Sequence, residues 1–79
     1  MNISQIKKTA ADLAKRCYNE KQFEIENTNV TNSASEWYLI VMLANIYYNV
    51  FAGLYTRAQA QAAQRERIEF VRDNPQMFE

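Results

Sequence analysis

Near the start of the chain, apolar residues recur with a helical period. Ile6, Ala10, Leu13 and Cys17 follow one another at spacings of four, three and four, and Ile3 and Ala14 fall on the same stripe. This is the pattern of an amphipathic helix with one buried face. Lys8, Asp12, Lys15, Arg16 and Asn19 take the opposite side. Lys8 and Asp12, and Arg16 and Glu20, stand four apart, a spacing suited to surface ion pairs worth ~0.3 kcal/mol each. In Asn2-Ile3-Ser4-Gln5 the Asn side chain can accept from the backbone of the first turn while Gln5 reaches back. A surface helix is predicted over residues 3–22.

Residues 24–32 are rich in Asn and Thr, whose side chains compete with helical hydrogen bonds. A loop is expected there, pinned by Phe23 or Ile25. Ser33-Ala34-Ser35-Glu36 is a capping box, and it opens a run from Trp37 to Thr56 without a charged residue. On a helix, Leu39, Leu43, Ile46, Val50 and Leu54 form one aliphatic stripe. Trp37, Ala44, Tyr48, Phe51 and Tyr55 form an adjoining aromatic one, and Met42, Asn45, Asn49 and Ala52 leave a narrow, less apolar strip. The apolar arc is roughly 220° wide, about twice what a surface helix needs, so this helix is expected to be buried on most sides. Gly53 can take the left-handed conformation that ends a helix, with Leu54 folding back on Tyr48, and Thr56-Arg57-Ala58-Gln59 can cap the next. Helices are therefore predicted over 34–52 and 57–73, the last stopped by Asn74-Pro75, since proline disfavours helix in the residue before it. An unbroken helix over 34–73 is the competing reading, because an interior glycine costs only ~1 kcal/mol. Ile68, Phe70 and Val71 are the only large apolar residues of the third segment, and Met77 and Phe78 are expected to pack back as a tail.

Composition narrows the architecture. A chain of 79 residues has room for a single domain, residues 1–79, whose core buries only about 60 to 65% of the surface exposed on unfolding. Help from self-association or a partner is unsurprising at that size. One Gly and one Pro, both placed where helices can end, favour helices over hairpins. The expected fold is all-α, a small antiparallel three-helix bundle. The alternative is a short helix packed on one long helix, completed by dimerisation. Cys17 is the sole cysteine, which rules out an intrachain disulfide or a cysteine-built metal site. With no basic-then-apolar leader at the start, the chain reads as cytoplasmic. Nine acidic and nine basic side chains cancel, removing the overall field that concentrates a protein on nucleic acid.

Chemistry finds little support. There is no His, no Gly-rich phosphate loop, no nucleophile elbow and no ligand spacing suited to a metal, so neither an active site nor a cofactor is expected. Glu24 and Glu26 read as solvated loop charges rather than an acid/base pair. Cys17, on the apolar stripe, reads as a small buried hydrophobe rather than a reactive thiol. Glycosylation sequons at Asn2 and Asn29 are accidental in an intracellular protein. The uncharged run over 37–56 has the length of a bilayer span, with Trp37, Tyr38, Tyr55 and Arg57 at its ends. Asn45, Tyr47, Tyr48 and Asn49 would however place polar groups near the hydrocarbon centre, each in need of a partner. A core helix is preferred, and a single-span membrane protein is the alternative. Arg57, Arg65, Arg67 and Arg72 form a secondary basic patch diluted by Glu66, Glu69 and Asp73, which leaves weak nucleic-acid binding as a further alternative.

The aromatic stripe carries the functional expectation. The first helix is expected to cover the aliphatic stripe and the third the aromatic one. The third is mostly Ala, Gln and Arg through residue 67 and cannot cover four large rings. Tyr48, Phe51 and Tyr55 are therefore expected to remain exposed as a contact surface for a protein partner, while Trp37, opposite Ile68 and Val71, is structural. The chain is expected to be a non-enzymatic interaction module binding itself or a larger protein. Small accessory proteins of phages and mobile elements, including inhibitors of host proteins, are often of this kind.

Overall fold

Side chains close the first turn of two of the three helices. The computed structural model describes residues 2–21 and 34–75, and its elements are α1 (Ile3–Asn19), α2 (Ala34–Phe51) and α3 (Arg57–Asp73). At α1, Gln5 N–H donates to Asn2 Oδ1 at 2.9 Å and Asn2 N–H donates to Gln5 Oε1 at 2.9 Å. At α3, Gln59 N–H donates to Thr56 Oγ1 at 3.1 Å and Thr56 N–H to Gln59 Oε1 at 2.9 Å. Each reciprocal box satisfies two amides that a helix start otherwise leaves without partners. Ser33, the expected cap of α2, lies outside the described residues. The loop expectations for Phe23, Ile25, Glu24, Glu26 and Asn29, and the tail of Met77 and Phe78, also fall outside them.

The helix ends follow the backbone. α1 stops at Asn19 rather than at residue 22, because Lys21 has φ 56, a left-handed conformation that cannot continue a right-handed helix. Gly53, with φ 78, ends α2. Its N–H donates to Val50 O at 3.0 Å and the N–H of Leu54 to Asn49 O at 2.8 Å, the paired bonds of a Schellman closure. The unbroken helix over 34–73 therefore does not form. Nor does Leu54 fold back onto Tyr48, since it is 70% exposed. The residue that would meet it in such a closure is Asn49, whose Nδ2 donates instead to Asn45 O at 2.8 Å and offers no apolar surface. At the end of α3, Asn74 Nδ2 donates to Phe70 O at 2.9 Å, just before Pro75.

The fold is a small all-α three-helix bundle in which α2 is central, with α1 and α3 each packed against it. α1 brings Ile6, Ala10, Ala14 and Cys17 to the interior, and α2 brings Leu39, Ile40, Leu43, Ala44 and Ile46. Ile40 and Leu43 are wholly buried. α3 adds Ala60, with Ala63, Ile68 and Val71 partly covered. Tyr38 and Phe70 stack at 6.2 Å between ring centroids, so the start of α2 meets the end of α3 and these two helices are antiparallel, as expected. α1 differs. Tyr18 lies 6.1 Å from Tyr48 and 6.1 Å from Phe51, which brings the C-terminal ends of α1 and α2 together, whereas an antiparallel pair would place them apart. The 14 residues between these helices, 20–33, exceed the usual connection in a bundle. They can reach about 45 Å against about 25 Å for α1, so the chain is not confined to a hairpin. In consequence α1 meets the C-terminal part of the aromatic stripe, at Tyr48 and Phe51.

Charge adds little to this packing. The pairs suggested by spacing, Lys8 with Asp12 and Arg16 with Glu20, are not closed among the described residues, and Arg72 and Asp73 approach only to 3.9 Å with both side chains 70% exposed. Among the described residues no helix is long and apolar enough to cross a membrane, and the uncharged run over 37–56 is divided at Gly53.

A Cβ built at Gly53 meets nothing within 4 Å, so its replacement tests backbone conformation alone. Gly53→Ala should lower stability by about 1 kcal/mol in chemical denaturation, and Gly53→Asn by less, since Asn tolerates this conformation better. Equal stability of all three chains would mean that the corner does not depend on a left-handed residue.

Candidate functional site

The corner between α2 and α3 gathers several of the exposed large apolar side chains among the described residues. Phe51 lies on the last turn of α2 and is 44% exposed, and Leu54 and Tyr55, in the reversal made by Gly53, are 70% and 40% exposed. Tyr18 joins them from α1 at 45% exposure, because the meeting of the helix ends sets its ring against Phe51. None of the four carries a charge. Along the chain, Arg16 and Glu20 stand two from Tyr18, and Arg57 stands two from Tyr55.

The expected contact residues are thus divided. Phe51 and Tyr55 face water, while Tyr48 is half-buried against the core, with its ring edge-on to Tyr18 at an interplanar angle of 71°. Trp37 is half-buried and packs on the core together with Ile68 and Val71, consistent with its structural assignment. Sequence reasoning missed Tyr18 and Leu54 as surface residues. Tyr18 stands four after Ala14, at the edge of the buried stripe, and that spacing could have placed it beside α2. Leu54 could not have been found from periodicity, because Gly53 takes it off the helix. Beside the corner, Tyr18, Asn19, Lys21 and Tyr48 line an open cavity of about 390 Å³.

The basic patch is also divided. Arg65 and Arg72 line an open groove of about 520 Å³ together with Lys7 of α1, whereas Arg57 and Arg67 are exposed outside it. Among the described residues no three His, Cys, Asp or Glu side chains gather as a metal site requires. Cys17 is free and buried, with 1% exposure. Burial raises the pKa of the Tyr47 hydroxyl above its ordinary 10.0 by penalising the phenolate. No family model, curated protein or solved structure matches the chain.

Two measurements bear on these placements. Cys17→Ala should lower stability by ~1 kcal/mol through lost buried volume and leave function intact; a variant that keeps its thermal midpoint but loses function would make the thiol chemical. For Tyr47 the folded chain holds its proton to higher pH than the unfolded chain does. Its contribution to stability is therefore complete below about pH 10 and is lost as pH rises through the folded value. Tyr47→Phe should flatten the alkaline fall in stability, read as denaturation midpoints on either side of pH 10; an unchanged slope would place the hydroxyl in water.

Proposed function

We propose that the chain is a non-enzymatic helical interaction module that docks its aromatic corner into a larger protein. The observation that carries this reading is the joint exposure of Tyr18, Phe51, Leu54 and Tyr55 at one end of the bundle. Aromatic side chains with restricted rotamers are favoured anchors in protein contacts. The four leave on the order of 400 Å² of apolar surface in water, about half of what one side of a standard interface buries. Two copies meeting corner to corner would fall short of a stable dimer. A concave pocket on a larger partner would close around the same side chains and add its own polar rim. Inhibition of a host protein by a small accessory protein of a phage or mobile element is one role that such a plug would serve. A cytoplasmic setting is part of the same proposal, supported by a sole cysteine that stays buried and unpaired.

The test pairs folding with capture. Phe51→Ala and Tyr55→Ala should each weaken partner capture by ~2 kcal/mol and leave circular dichroism melts close to those of the parent. Trp37→Ala should lower stability by about 2 to 3 kcal/mol, less than for a fully buried ring. If the corner variants unfold while the Trp37 variant folds and loses its partner, the two roles are inverted. If the purified chain sediments as a dimer that Tyr55→Ala dissociates, the partner is a second copy and not a larger protein.

A further inference from the structure

The chain has no net charge, but its fold does not spread the cations evenly. α1 and α3 both lean on α2, and the open groove between them has Lys7 on one wall and Arg65 and Arg72 on the other, with Glu69 as its one carboxylate among the described residues. Arg65 and Arg72 are seven residues apart, two helical turns along one face. Neither Lys7 nor Arg65 forms an ion pair among the described residues, and Arg72 approaches only Asp73, at 3.9 Å, with both side chains largely exposed. Gln61 and Gln64 contribute amides to the groove, and Ile68 gives it an apolar floor.

We propose that the groove between α1 and α3 binds an acidic segment of a partner protein, whose carboxylates pair with Lys7, Arg65 and Arg72 while an apolar residue between them rests on Ile68. Charge complementarity selects this occupant. The guanidinium of Arg65 can hold a carboxylate through two parallel hydrogen bonds, and a peptide can present a neutral residue opposite Glu69. A nucleic-acid backbone cannot, because its unbroken row of phosphates would meet Glu69. The three cations would also release too few counterions to hold a duplex at physiological salt. The groove is separate from the aromatic corner, so the proposal stands without that reading.

The probe is a short peptide of glutamates flanking one leucine, titrated at low ionic strength into the ¹⁵N-labelled chain. Amide shifts should concentrate at Gln61, Gln64 and Ile68, and binding should weaken with added salt. The double variant Lys7→Gln, Arg65→Gln should bind about tenfold more weakly. Arg57→Gln with Arg67→Gln removes the same charge outside the groove and should change affinity less than about twofold. Tyr55→Ala should have no effect on this probe, and each variant's own spectrum reports whether it folds. Equal losses in the two double variants would reduce the effect to overall charge and overturn the proposal. So would the absence of any shift at low salt, or tighter binding of a short DNA duplex than of the peptide.

Discussion

The wide apolar arc of α2 has to be covered by two helices that carry few large side chains, and the rest of the molecule is arranged around that shortage. α1 meets it with small residues. Ala10, Ala14 and Cys17 are all buried beside Ile6, and a face of that kind lets two helix axes approach closely, so Ile40 and Leu43 lose contact with water. α3 meets it over its first half with Ala60 and Ala63, which reach the core but cover little beyond. The uncovered remainder of α2 collects at its C-terminal end. Tyr18 covers part of it there by turning its own ring onto Tyr48 and Phe51, and in doing so it becomes exposed itself.

Much of this was legible in the sequence because the signals were local. The boxes at Asn2 and Thr56, the glycine at 53 and the Asn74-Pro75 pair each act within one helical turn, and each marks a boundary within a residue or two of the observed one. α1 ran three residues short of its expected end because nothing in Glu20-Lys21 announces a left-handed lysine, a conformation that few residues other than Gly and Asn adopt readily. The direction of α1 against α2 was not legible. It depends on a connection too long to force a hairpin, and on which of two apolar stripes the small face of α1 prefers. That choice is made by fit between surfaces and not by either pattern alone.

The candidate sites show the same division. Phe51 and Tyr55 could be anticipated from the poverty of α3 in large side chains. Tyr18 required knowledge of which helix ends meet. The groove required more, since Lys7 lies far from Arg65 and Arg72 in sequence and joins them only because α1 and α3 pack on the same central helix. Arg57 and Arg67, which belong to the same sequence cluster, point elsewhere. Sequence distance ranks cations by proximity along the chain, and a helix distributes them around its axis.

Gly53 joins fold and surface in one residue. On a continuous helix Tyr55 would lie four after Phe51 and seven after Tyr48, sharing their face and adding to the aromatic stripe that Tyr18 already covers in part. The left-handed turn removes it from that face and carries it, with Leu54, to the outside of the corner. The same turn frees α3 to fold back and bring Phe70 to Tyr38, which helps to cover the opposite end of α2. A straight helix would carry Ala60, Ala63, Ile68 and Val71 away from the core that they help to cover. The bent one confines the exposure to a single corner, and a confined aromatic patch is the form of exposed apolar surface that a partner can enclose.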